Sequence, residues 1–227
     1  DRVLDGVGAE PDPRDDGPAE VLVAVHAHGV GEEDPTVDRH RKLRDPAVEF
    51  LQRSGRPLLD FGELTGTETA RVERLTGYQA ERGHPHAPRW LEVSARTSQE
   101  AADALGVQVG QIAKSVIFRR RADARAVLVV TSGDRRVDES KVAAITGALG
   151  RADAEFVKAK TGFSIGGVAP LAHAHPEAEP PLTRIDRELF RFAEIWAAAG
   201  HPNGVFKLAP AELEGLTGAP VHDVTQT

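Results

Sequence analysis

Lys114 is the first residue whose type and setting could do chemistry. It stands between Ile112-Ala113 and Val116-Ile117-Phe118, where a short helix over Val109–Lys114 is expected to run into a strand over Ser115–Arg119. An ammonium held partly desolvated there can grip a phosphate or polarise a carbonyl; it can equally snorkel off the strand end. The second candidate is Thr161-Gly-Phe-Ser-Ile-Gly-Gly-Val-Ala-Pro170. Gly166 and Gly167 permit positive φ and close backbone approach, and Pro170 fixes where the chain leaves. N–H groups in such a loop can bind an oxyanion, although a plain turn is the commoner fate of a Gly-Gly pair. No Gly-Lys-Ser/Thr follows, and the spacing does not match the dinucleotide fingerprint.

Three His-x-His pairs form a third group: His26/His28, His84/His86 and His173/His175. A spacing of two puts both rings on one face of a strand, which suits a metal. Only the first pair follows an apolar run, and no Asp/Glu/His set at metal-site spacing accompanies them, so loop histidines are expected. Arg119, Arg120, Arg121, Arg125, Arg135 and Arg136 gather at turn positions near Lys114 in sequence. They can meet a nucleic-acid backbone or form a solvated face. Asp134 and Asp138 could pair, yet Asp138 is placed to cap a helix. Ser115 is a weak nucleophile with no evident base beside it.

These residues need elements to position them. Val72, Leu75 and Tyr78 recur at helical spacing, and Gly83 closes that helix. Arg89–Val93 reads as a strand. Thr97 and Glu100 form a capping box on a helix with Ala101, Ala102 and Leu105 inward and Gly106 as its stop. Ala126–Val130 completes a hairpin with the strand Ser115–Arg119 that follows Lys114. Asp138 opens a helix with Val142, Ala143 and Ile145. Strands are expected at Leu182–Ile185, Val205–Leu208 and Val221–Val224, and helices at Phe192–Ala199 and Pro210–Leu216. Short strands mixed with short helices give an α+β domain, not a doubly wound sheet.

The 227 residues allow one full domain plus an appended segment. With no cysteine, disulfide scaffolds, zinc ribbons and thiol nucleophiles are excluded. No apolar run approaches the ~20 residues of a membrane span, and the N-terminus lacks a signal-peptide layout. The expectation is a soluble cytoplasmic protein without a membrane partner. A chain starting at Asp1 and lacking methionine reads as processed or as a fragment. The net charge of -7 is uneven: residues 1–69 hold 8 Lys/Arg against 16 Asp/Glu, whereas 70–227 hold 20 against 19. The acidic extension repels phosphate and the rest does not. Residues 1–20 read as disordered, Val21–Val25 as a strand and 46–53 as one short helix.

Taken in order, the motifs resemble the YbaK/EbsC family, free-standing relatives of the editing domain of bacterial prolyl-tRNA synthetases. The resemblance runs from about Thr69 to Val224. It rests on Ser94-Ala-Arg-Thr97 with Ala101-Ala-Asp-Ala-Leu-Gly106, then Gln111-Ile-Ala-Lys-Ser-Val-Ile-Phe118 and Gly133-Asp-Arg-Arg-Val-Asp138. The loop Thr161–Pro170 and the closing Leu208–Gly218 complete it. It implies a compact mixed β-barrel-like sheet with surrounding helices over 70–227, with 1–69 as an acidic extension. It also implies a trans-editing hydrolase that deacylates mischarged aminoacyl-tRNA, contacting its acceptor end and an aminoacyl-tRNA synthetase, without metal or cofactor. The family's required lysine falls on Lys114 and its Gly-x-x-x-Pro loop on Gly166, Gly167 and Pro170. Phe118, Arg136, Asp138 and Phe163 are expected beside the substrate. The alternatives are a non-catalytic tRNA- or synthetase-binding module of the same fold, and a metal-dependent hydrolase using His26 and His28.

Overall fold

A computed structural model describes residues 66–92, 95, 97–173 and 179–226. The strand expected at Val21–Val25, the helix at 46–53 and the His26/His28 pair lie outside the described residues.

Helix α1 (Gly66–Glu81) buries Val72 and Leu75 completely, with Tyr78 packed at the margin of the same core. That is the i, i+3 face its sequence predicts. Strand β1 (Arg89–Trp90) and helix α2 (Ser98–Leu105) follow. The capping box forms: Glu100 N–H donates to Thr97 Oγ1 at 3.1 Å, and Thr97 N–H donates to Glu100 Oε2 at 3.0 Å. Gly106, at φ 70°, ends the helix in the left-handed region.

The frame is a hairpin of β2 (Ile112–Arg120) and β3 (Ala126–Ser132), in antiparallel register from Ala113 opposite Ser132 to Arg119 opposite Ala126. Every residue of β3 is buried, because both faces of the sheet are covered. Parallel strands β5 (Leu182–Asp186) and β8 (Val221–His222) extend the sheet beyond β3. On the other side of β2, β6 (Ile195–Ala198) runs parallel to it, pairs antiparallel with β7 (Gly204–Leu208), and β7 pairs with β1. A short β4 (Leu149–Gly150) pairs with the far end of β2 at Arg119 and Arg120. Among the described residues the result is a mixed eight-stranded sheet with five α-helices, an α+β fold.

The second edge of β2 is paired only at its ends. β6 reaches Ile112 and Ala113, and β4 reaches Arg119 and Arg120. Between them the sheet splits beside Lys114–Phe118, and a pocket opens from that split. Ala113 and Ile117 join one core, under α1 and the helices α4 (Ala154–Thr161) and α5 (Pro210–Thr217). Val116 and Phe118 join the other, with Val127, Val129 and Val142 of helix α3 (Glu139–Thr146).

Three elements differ from expectation. Only Val109–Gln111 is helical, as one 3-10 turn, so Lys114 sits inside β2 and not at a helix end. Phe192–Ala199 holds strand β6 where a helix was expected; burial alternates along Ile195–Ala198 because β2 and β7 bracket it. Pairing on both sides overrides the helix propensity of its alanines. Helix α4 was not anticipated, yet Asp153 caps it by accepting from Phe156 N–H at 2.8 Å, and Gly162 stops it at φ 75°.

Candidate functional site

Lys114 is 8% exposed. It lies opposite Thr131 in the hairpin, so the two share a sheet face. Thr131 donates its hydroxyl to Asp186 Oδ2 at 2.8 Å, and Asp186 is fully buried at the end of β5. Burial pushes the Asp186 carboxyl above the usual carboxylate range, against hydrogen bonds from Thr131 and from the backbone of Glu188 and Ser132. One face of three neighbouring strands thus carries Lys114, Thr131 and Asp186, where the same face further along carries Val116 and Phe118.

The glycine loop is built from α4 outward. Thr161 Oγ1 donates to Val157 O and accepts from Phe163 N–H, which closes the helix and turns the chain. Gly166 has φ 97°, a conformation that favours glycine. Gly167 presses on another loop: a Cβ there would lie 2.8 Å from N, Cα and C of His201. Helix α1 grips both ends of the loop, with Arg71 Nη1 donating to Ser164 Oγ at 2.9 Å and Arg74 Nε to Ala172 O at 2.9 Å. His173 Nε2–H donates to Ala169 O at 2.9 Å, and burial pushes its pKa down to about 4, which keeps the ring neutral.

Lys114 and Gly166 line one open pocket whose cavity volume is about 60 Å³. Ser115 and Ile117 of β2, Val157 of α4 and Val168 line it, with Thr97 and Ser98 at the start of α2. Trp196, Pro202 and Val205 close it, and Ala113, Ala197, Ala198 and Gly204 keep the walls short. Among the described residues no His, Asp or Glu lines it. Gly167 N–H donates to Ser164 O at 3.1 Å, so it is occupied within the loop. Gly166 N–H, like those of Ile165 and Val168 beside it in the lining, makes no hydrogen bond among the described residues. Ser115 Oγ is buried without a hydrogen-bond partner. The lining brings a buried lysine and free loop N–H groups to one pocket, with room beside them for a small side chain.

Not all the residues singled out from sequence meet there. Pro170 lines a different cavity, between α1 and the chain leaving the loop, with Arg74, Tyr78 and His173. Phe118 is 4% exposed in the core on the α3 face, and Phe163 is fully buried in the core under α1. Asp138 caps α3, its Oδ1 accepting from Ser140 N–H at 2.9 Å and Lys141 N–H at 3.1 Å. Arg136 is exposed, and its backbone carbonyl accepts from Gln226 N–H. Trp196, Pro202 and Gly204 carried no sequence signal, and Thr97 was marked as a helix cap and motif residue but not as part of the site, because their share depends on β6, β7 and α2 converging. Of the histidines, His84 is 3% exposed and edge-on to His86 and Phe206, while His175 lies outside the described residues. Among the described residues no group of three His, Cys, Asp or Glu could hold a metal. No described helix is long and apolar enough to cross a membrane.

The model of the aminoacyl-tRNA editing domain family matches residues 92–216. Uncharacterized protein YwhH of Bacillus subtilis (strain 168) is 36% identical over 124 residues, covering 54% of this chain and 76% of that protein. A solved protein described as a candidate trans-editing enzyme for prolyl tRNA synthetase is similar at TM-score 0.63 and 36% identity, covering 73% of this chain and 100% of that one. The hypothetical protein APE2540 is similar at TM-score 0.60 and 29% identity, covering 67% and 99%. The family match spans more than half of the chain and includes Lys114, the glycine loop and every strand around the pocket, and the chain belongs to the aminoacyl-tRNA editing domain family.

Proposed function

We propose that this protein is a trans-editing deacylase that hydrolyses mischarged aminoacyl-tRNA and releases a small wrong amino acid from the tRNA 3′ end in the cytoplasm. The observation that carries this is the meeting of Lys114 and Gly166 in one short-walled pocket, from positions far apart in the chain. In the reaction, water, or the free hydroxyl of the terminal ribose, attacks the ester carbonyl carbon. Negative charge develops on the carbonyl oxygen, the ester C–O bond breaks, and the ribose oxygen leaves with a proton. Attack by the ribose hydroxyl transfers the acyl group, which water then clears. The Lys114 ammonium and Gly166 N–H are the donors suited to the developing oxyanion.

With no His, Asp or Glu among the described residues that line the pocket, the proton passes between water and the ribose hydroxyls. Gly167 serves indirectly, its missing side chain letting the loop abut His201. The short walls at Ala113, Ala197 and Ala198 favour alanine-, serine- or cysteine-sized groups, although one methylene is worth only ~1–3 kcal/mol of discrimination.

The test is deacylation of Ala-, Cys- and Ser-charged tRNA for proline by wild type and Lys114→Ala. Clearance by wild type, with a loss of about 10²-fold or more in the variant, supports the reading. Binding of tRNA by both proteins without turnover would refute it in favour of a binding module.

A further inference from the structure

We propose that Arg119, Arg151, Lys158 and Lys160, grouped around Phe156, form the surface that takes the phosphate backbone of the tRNA acceptor end next to the pocket. This rests on the editing reading and says where the RNA lies on the protein. Arg119 continues the β2 face that lines the pocket: Ala113, Ser115 and Ile117 alternate toward it, and Arg119 follows at the next same-face position. At about 3.3 Å per residue, Arg119 lies roughly 7 Å beyond Ile117, close to the spacing of successive phosphates along a strand. Helix α4 supplies Val157 to the pocket as well, and Lys160 one turn later.

The two cations converge on one ring. The Arg119 guanidinium lies 5.4 Å from the centre of Phe156, and Lys160 Nζ lies 6.0 Å from it. Arg119 also pairs in register with Gly150, which sets Arg151 beside it, and both arginines and Lys158 are exposed.

None of these four cations has a carboxylate partner among the described residues, whereas Arg120, Arg125 and Arg135 near the hairpin do. Arg120 is tied to Asp123, Arg125 to Glu179 and Arg135 to Glu188. The acidic residues of the α4 segment are Asp153, engaged as its cap, and exposed Glu155. A helix C-terminus favours Lys158 and Lys160 without any ligand. It does not account for Arg119 and Arg151, which come from the β2 end and the β4 exit. Unpaired cations flanking an aromatic ring suit a phosphate chain with a base stacked on the ring.

The experiment measures binding of uncharged tRNA to the full chain against salt, for wild type, Arg119→Glu/Lys160→Glu and the control Arg82→Glu. Hydrolysis of 3′-aminoacyl-adenosine is followed in parallel, with melting curves confirming folding. The double variant is expected to bind at least about 10-fold more weakly, with a salt slope shallower by about 1.5–2. Its hydrolysis of the minimal ester should stay within twofold of wild type. Wild-type affinity and slope in the double variant would overturn the proposal, as would an equal loss in Arg82→Glu. A wild type that binds tRNA through this patch yet hydrolyses neither substrate would refute the deacylase reading while leaving the RNA surface standing.

Discussion

Replacing Gly167 by alanine puts a methyl carbon 2.8 Å from N, Cα and C of His201, all backbone atoms that cannot rotate away. Ordinary carbon contacts begin near 3.5 Å, so the loop and the His201 segment must separate by well over half an ångström. Overpacking of this kind costs about 1–3 kcal/mol, which for a domain of this size lowers Tm by roughly 2–10 °C. The separation also moves Gly166, one residue back, away from the Lys114 side of the pocket. A displacement of that order at the donor costs about 10²-fold in rate. Gly215→Ala is the matched control: it lies in α5 with nothing within 4 Å of the added carbon, and it should raise stability by up to about 1 kcal/mol without touching turnover. The assays are a melting curve and deacylation kcat/KM for both variants. If Gly167→Ala melts and turns over like wild type, the loop does not abut His201 and the positioning argument fails.

Asp138→Ala should cost about 1 kcal/mol by uncapping α3 and leave the KM for aminoacyl-tRNA unchanged, because both visible contacts of the carboxylate are to that helix. A raised KM at unchanged stability would mean that Asp138 touches substrate instead. His173 has its pKa pushed down to about 4 in the folded protein, so its contribution to stability is complete above its ordinary pKa near 6.5. That contribution is lost as pH falls from there toward 4. Urea midpoints of wild type and His173→Gln should therefore converge across that window, and parallel curves would contradict the buried neutral ring. Arg71→Ala removes the bond to Ser164 Oγ and should lower kcat/KM with a smaller effect than Gly167→Ala, read in the same deacylation assay.

How much of this was legible in the sequence follows from how local each signal is. Thr97 with Glu100, Asp138 before α3, Pro210 at the first turn of α5 and Gly106 after α2 act within one helical turn, and each forms as read. Strand β6 was misread because Ile195–Ala198 is a strand only through β2 and β7 on either side, which single-chain periodicity does not carry. Helix α4 is short and carries as many apolar as polar residues; its Asp153 and Gly162 caps were the available signal. Of the site, Lys114 and Gly166 were reached through ordered motifs, and the structure sets them in one pocket. Trp196, Pro202 and Gly204 were not, since nothing in their neighbours in sequence marks where three strands will meet. Phe118 and Phe163 are near those motifs in sequence but turn into the two cores on either side of the sheet.

The most direct measurement is single-turnover deacylation of Ala-tRNA for proline by wild type, Lys114→Ala and Lys114→Arg, with tRNA affinity determined alongside. The account predicts hydrolysis by wild type, a loss of about 10²-fold or more in Lys114→Ala with tRNA affinity nearly unchanged, and partial recovery at best in Lys114→Arg. Equal rates in all three proteins would contradict the claim that the Lys114 ammonium stabilises the reacting ester.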